Sequence, residues 1–365
     1  MKRSMQWLGS ASAIALAAAP TIAAAAPVGT AANSDISNSV TVSYNVGGVA
    51  QTPITSAADI FKVDRKIDLV VTAQDTSAVV VTPGQTNAVT TFSVTNNSNA
   101  TIDFLLVATQ QTGGAAKFAG NDTTDANNVR VFVETNGTTG WQAGDTQANS
   151  LAAVASGDAV TVYVVSDVPL SAAQAAQATM ILTATAASGV TATTGYAGTG
   201  GTALSQTPTG TANGKTTMET VFADAQAEAA TGDGLKDGKH AARSDYRVDT
   251  AQLAVAKYSR VVSDPFSGAA SPRAIPGAVV EYCIVVQNTS TTVNATAVSV
   301  SDTVDAATLT SITAPTVGGT FDGTDTCNGG SAGSWTSTAG GIYQYSVGTV
   351  NANSTSLVRF QATIR

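Results

Sequence analysis

The sequence predicts an all-β protein: two immunoglobulin-like β-sandwich domains in tandem, joined by a Gly/Thr/Ala-rich and polar linker. Three observations lead there. Charged residues make up 12% of the 365-residue chain and hydrophobic ones 43%, against about 25% charged in ordinary soluble proteins. Thr, Ala, Ser, Val, Gly and Asn fill the gap, a mixture that favours strands and turns. Short alternating apolar stretches recur between turn residues. Finally, a turn–strand–turn unit occurs twice. Pro276-Gly277 leads into Val279–Val286 and ends at Asn288-Thr289-Ser290; a fainter copy runs from Pro83-Gly84-Gln85 through Val89, Phe92 and Val94 to Asn96-Asn97-Ser98.

Taken in order, the chain opens with Met1-Lys2-Arg3, a short apolar run over Trp7–Ala19, and small residues at Ala23–Ala26. That is the pattern of a signal peptide over 1–25, cleaved after Ala25. No other stretch approaches the roughly 18 uninterrupted apolar residues of a membrane span. Residues 38–46 alternate Val40, Val42, Tyr44 and Val46 with polar partners and run into Gly47-Gly48, a hairpin with a two-residue turn. Strand signals follow at Asp59–Arg65, Ile67–Thr72, Thr90–Thr95, Ile102–Thr109, Val129–Glu134, Val160–Ser166 and Met180–Ala186. Ser171–Gln177 has no apolar stripe and reads as a connector. The first sandwich is therefore expected over 26–200. Residues 201–247 are expected as linker, polar and charge-dense, with a last strand around Met218, Val221 and Phe222. The second domain covers 248–365, with strands at Gln252–Lys257, Val279–Val286, Ala297–Asp302, Leu309–Thr313, Ile342–Val347 and Ser356–Ile364. Ending on a well-patterned strand places the terminus in the sheet.

The two cysteines, Cys283 and Cys327, suit a disulfide in an oxidising compartment. There is no C-x-x-C for redox work and no four-ligand set for zinc. A bridge closing a loop of that length stabilises by roughly 2–4 kcal/mol.

Leu253 to the C-terminus resembles the exported "conserved repeat" domain, domain of unknown function 11. The residues that carry this are Val255-Ala256-Lys257, Asp264-Pro265, Ala274-Ile275-Pro276-Gly277, Val280-Glu281-Tyr282-Cys283, Val285, Asn288-Thr289 and Val300-Ser301-Asp302-Thr303. Upstream, Phe61–Leu69, Gly84–Val89 and Phe104-Leu105-Leu106 look like the N-terminal half of bacterial surface proteins carrying that domain. The resemblance implies an immunoglobulin-like sandwich and a cell-envelope or surface role, and no catalytic residues.

Chemistry is sparse. The single histidine, His240, stands in a polar stretch without a nucleophile motif and reads as a solvated linker residue. Acid pairs such as Asp122 with Asp125, or Asp322 with Asp325, lie in Gly/Thr/Asn loops where Asp serves turns. No catalytic residues are assigned, and the chain is read as a non-enzyme. Calcium is the one cofactor the pattern admits: Glu134, Asn136, Thr138 and Asp145 place oxygen-bearing side chains along one loop. Against it, Thr139 stands where a calcium loop has Gly, and no helices flank it, so a hairpin loop is favoured. Several N-x-[ST] triplets, at Asn96, Asn136, Asn288 and Asn353, are expected by chance in so Asn-rich a chain and are not read as glycan acceptors.

Net charge is −8 and the basic residues are scattered, which excludes a nucleic-acid footprint. The leading expectation is an exported envelope or surface protein, structural or adhesive, lacking a transmembrane segment after signal cleavage. It is located at the cell surface, outside the cell or in the periplasm, with a protein or polysaccharide partner. One alternative is a carbohydrate- or polymer-binding module using Trp141 and Trp335, both in Gly/Ser/Thr-rich loops. Each indole packing over its own domain edge is favoured over that role. Another is self-association, in which strand 38–46 adds to a neighbour's sheet edge.

Overall fold

Fourteen strands frame the computed structural model, which describes residues 28–208, 210, 214–338 and 341–365; the expected signal segment 1–25 lies outside the described residues. In chain order these strands are β1 (Leu69–Ala73), β2 (Ala88–Asn96), β3 (Ile102–Gln110), β4 (Asn127–Val133), β5 (Ser150–Val154), β6 (Ala159–Asp167), β7 (Gln177–Ser188) and β8 (Lys239–Val248) in the first domain. The second has β9 (Leu253–Ser263), β10 (Val279–Asn288), β11 (Ala295–Thr303), β12 (Trp335–Thr338), β13 (Ile342–Val350) and β14 (Ser354–Ile364). The only described helix is a single 3-10 turn, Ala229–Thr231.

One sheet of the first sandwich runs β4-β6-β2-β1, with Thr146–Gln147 outside β4. The other centres on β5-β3-β7-β8, with Ala197–Thr199 and Thr191–Thr194 beyond β5 and Val79–Val81 beyond β8. β2 shows why these residues form a half-buried strand. Ala88, Thr90, Phe92, Val94 and Asn96 are buried, alternating with partly exposed neighbours, the period of two that a pleated strand requires. The core between the sheets includes Phe92, Phe104, Leu151, Val162, Met180 and Leu182.

The second sandwich repeats the plan. β9-β10-β14 form one sheet and β11-β13-β12 the other, around Ile284, Val286, Tyr345, Val358 and Phe360. The order β6-β2-β1 in the first domain corresponds to β14-β10-β9 in the second, and β3-β5 to β11-β13. Lys257 on β9 closes the second sandwich's side, its Nζ 2.7 Å from Asp302 of the opposite sheet and 4.7 Å from the Tyr282 ring centre.

The repeat extends to single atoms. Asn96, fully buried at the end of β2, donates through Nδ2 to the carbonyls of Ala100 (2.9 Å) and Val154 (2.8 Å) and accepts from the Ser98 amide (3.0 Å). Asn288, fully buried at the end of β10, donates to Val293 (2.8 Å) and Val350 (3.1 Å) and accepts from the Ser290 amide (3.1 Å). Each carboxamide joins the end of one sheet to the other. The other end of each unit turns at Gly84 (φ 74°) and Gly277 (φ 85°), a region that side chains with a Cβ rarely occupy. Burial also removes Asn96 and Asn288 from any role as glycan acceptors.

Residues 201–247 depart from the expected linker. Thr202–Ala203 pairs with β7, Thr220–Phe222 runs parallel to Arg65–Ile67, and β8 pairs along its length with β7. The last strand expected around Val221 and Phe222 is present, and the first sandwich takes in β8 as well, running on to Val248. β8 is polar because its partners lie inside the fold. Asp245 accepts from Thr179 Oγ1 (2.7 Å) and the Phe118 amide (2.8 Å), Ser244 Oγ donates to Asp75 (2.7 Å), and Tyr246 OH donates to the Ala88 carbonyl (2.8 Å).

Asn96→Ala and Asn288→Ala should each lower stability by about 1–3 kcal/mol, because the buried carbonyl of Val154 or Val350 and a part-buried one lose their donor. Chemical denaturation checks this, against Asn97→Ala as a control of small effect at a half-buried turn position.

Candidate functional site

His240 is not in a solvated linker. It is half-buried on β8, and its Nδ1 accepts a hydrogen bond from the Val71 amide on β1 (3.1 Å), linking the two sheets of the first sandwich. The acidic candidates serve loops. Asp122 accepts from the Thr179 and Gly113 amides (both 2.9 Å), and Asp322 Oδ1 from the amides of Thr324, Asp325 and Thr326. Those amides, Thr324 first, hold the Asp322 carboxyl down to about 2. Among the described residues no three His, Cys, Asp or Glu side chains gather as a metal-binding group.

The calcium candidates do come together. β4 pairs with Thr146–Gln147, so residues 134–145 form the hairpin loop between them. Glu134 Oε1 accepts from the Asn136 and Gly137 amides (both 2.9 Å) and Oε2 from Tyr163 OH (2.8 Å). Asp145 Oδ2 accepts from the Gln142 amide (2.8 Å), and Oδ1 from Asn136 Nδ2 (3.1 Å). Thr138 contributes its amide, which donates to Asn136 Oδ1 (2.8 Å). Burial raises the Glu134 carboxyl, but Tyr163 and the two amides outweigh it and hold it below its usual value. Burial and the same bond push Tyr163 up to about 12. Every carboxylate oxygen in the loop thus already has a donor from the chain.

Both tryptophans pack at their domain surfaces. Trp141 is half-buried, edge-on to Phe132 with centroids 5.5 Å apart, and its indole N–H is buried without an acceptor. Trp335 is not in a loop: it begins β12 and stacks on Tyr343 at 5.4 Å.

The second domain's outer sheet face is more distinctive. Cys283 and Cys327 are joined by a disulfide, which lays the loop carrying Thr320–Phe321 over β9, β10 and β14. Phe321 packs on Tyr258 at 4.7 Å, and Cys283, Cys327 and Leu357 are buried beneath. Beside the loop is an open groove of about 550 Å³, lined by Val255, Tyr258, Val285, Phe321 and Leu357 among others, none of them charged. On the same strand Glu281, 4% exposed, is covered by Arg260 (2.8 Å) and Gln361 (3.0 Å). Sequence reasoning read the disulfide as a staple but not the groove, because Phe321 and Tyr258 meet only across the fold.

A second distinctive surface is the N-terminal hairpin, whose two-residue turn is present as expected. Asn45 pairs with Ala50, and Val46 with Val49, around Gly47-Gly48. The pairing continues through Val42↔Ile54 and Asn38↔Asp59 to Asp35↔Lys62, making one long two-stranded ribbon. Val40, Val42, Tyr44, Val46, Val49 and Ile54 are all exposed on it.

No family model matches the chain, so the resemblance to the conserved-repeat family rests on its motifs alone, and no curated protein matches it. Solved structures similar to it include the full-length RrgB pilus protein of Streptococcus pneumoniae, at 13% identity and a TM-score of 0.21, covering 82% of this chain and 44% of that one. A second structure, of the full-length major pilin RrgB from the same organism, aligns at 13% identity and a TM-score of 0.18, with 82% and 45% coverage. The chain spans less than half the length of these pilins, and scores this low define no common domain arrangement.

Two expectations follow. Folding lowers the Asp322 carboxyl below its ordinary 3.8, so its cap is fully present above that pH and is lost as pH falls through about 2. A carboxyl NMR titration should show that midpoint, and Asp322→Asn should remove it together with amide protection at Thr324–Thr326. Millimolar calcium should leave the melting temperature and protease resistance of 134–145 unchanged, whereas Asp145→Ala should make that loop cleavable; limited proteolysis reads both.

Proposed function

We propose that the chain is a non-enzymatic exported protein of the cell envelope or surface, with a structural or adhesive role. The observation that carries this reading is the tandem of β-sandwiches, the second stapled by Cys283–Cys327, whose candidate catalytic groups are spent on structure. His240 holds a strand amide, and Asp122 and Asp322 hold loop amides. Such commitments make these three groups parts of the fold and so support a non-enzymatic reading.

The expected signal peptide over 1–25, the conserved-repeat resemblance and the disulfide support export. Among the described residues no helix is long and apolar enough to cross a membrane, and the partner proposed for a surface position is a protein, a polysaccharide or another copy of the chain. The packing of Trp141 and Trp335 against Phe132 and Tyr343 speaks against their serving as an open sugar platform.

Protease shaving of whole cells tests the reading. Peptides of this protein should appear in the supernatant while a cytoplasmic marker stays intact. Recovery in the cytoplasmic fraction would remove the reading.

A further inference from the structure

Each sandwich has two poles, one at its Pro-Gly turn and one at its Asn-x-Ser turn. Within the chain, the Pro-Gly pole of the first domain meets the Asn-x-Ser pole of the second. Thr292 Oγ1 donates to Asp249 (2.7 Å), Gln174 bonds both Asp249 and Thr250, and Thr82-Pro83 face Val293–Ser299 across a cleft. This leaves one pole of each kind unpaired. The free Pro-Gly pole is at Pro276-Gly277, beside a loop carrying Phe266 at 92% exposure. The free Asn-x-Ser pole is at Asn96–Ser98, and there the ribbon is rooted: Asn99 donates to the carbonyls of Thr30 (3.1 Å) and Asp64 (2.9 Å).

The ribbon has the features of an unfilled contact. Residues 36–58 contain no Asp, Glu, Lys, Arg or His. Beyond its root, its paired segments are isolated two-stranded sheets. Edge strands left in water are ordinarily blunted by charge, burial or bulges, and an exposed apolar stretch rimmed by polar residues marks an interaction site. A matching surface lies on the second domain. β9 is the last strand of its sheet, with no strand beyond it among the described residues; Val255 on it is 70% exposed, and the adjoining groove is also uncharged.

We propose that copies of this chain join end to end, the ribbon of one adding to the open edge of β9 in the next and placing its tip in the groove beside the Cys283–Cys327 loop. The occupant is a second copy because the junction repeats one already present within the chain, pole to pole. Lengths agree. From Ser263, at the free pole, back to Val255 is about 27 Å along β9, and the ribbon from Asp35 to Gly47-Gly48 reaches about 45 Å, at about 3.4 Å per residue. The contact is heterologous, so it propagates as a filament unless the rotation closes a ring. It deepens the structural reading above, but it concerns the purified chain in solution, so an error in cellular location leaves it standing and its own failure leaves the location standing.

Sedimentation of the purified chain over a concentration series tests it. The wild type should form a ladder of oligomers. Val42→Lys with Val46→Lys in the ribbon, and separately Val255→Lys on β9, should each weaken association at least ~tenfold without shifting the melting temperature. Mixing the two variants should restore a dimer of one copy of each and nothing larger, since that dimer offers only a spoiled ribbon and a spoiled edge. A photo-crosslinking residue at Tyr44 should attach to 253–258 or 319–321 of another copy. A wild type monomeric throughout, variants that keep the wild-type ladder, a mixture without the dimer, or crosslinks from ribbon to ribbon would each overturn the proposal.

Discussion

A buried carboxamide at the end of the central strand is the interaction on which each sandwich depends. Asn96 and Asn288, both fully buried, use the two donors and the acceptor of one side chain to hold three backbone groups at Asn96 and, with the Gln252 amide, four at Asn288. Without them the carbonyls of Val154 and Val350 would be buried and unpaired, which is expensive in a low-dielectric interior. Asp cannot donate, and Ser is too short to reach both sheets, so the geometry demands Asn. Because the bond ties one sheet's strand end to the neighbouring sheet, it also sets how the two sheets meet at that pole.

That polarity organises the whole molecule. With the Asn-x-Ser pole of the second domain against the Pro-Gly pole of the first, the long axis has unlike ends. One end carries the ribbon and the other the Phe266 loop. Unlike ends are the condition for head-to-tail association.

The disulfide acts on a different surface. The core of the second sandwich contains few large buried side chains, and the outer faces of β10 and β14 would otherwise expose Cys283 and Leu357. The bridge draws the 318–328 loop over that face and brings Phe321 onto Tyr258. One covalent link thus both stabilises the domain and builds one wall of the groove. Arg260 and Gln361 do the same for Glu281 by polar means.

The sequence by itself determined the all-β class, most strands of both sandwiches, the two-residue hairpin turn, the repeat and the cysteine pair. Those signals are local: period-two alternation, turn residues and β-branched runs state themselves within a few residues. Tertiary structure decided the rest. β8 reads as linker because His240, Arg243, Ser244 and Asp245 are polar. Each is satisfied by a group far away in sequence, Asp245 by Thr179 and Phe118, Ser244 by Asp75. The Gly/Thr/Ala stretch forms edge strands because β5 and β7 offer it a template. Likewise, Trp335 became a strand residue, the carboxylates of 134–145 found chain donors, and the ribbon was left without a cover. Polar character tells how readily a residue is solvated in isolation; whether it is buried depends on partners that only the folded chain brings within reach.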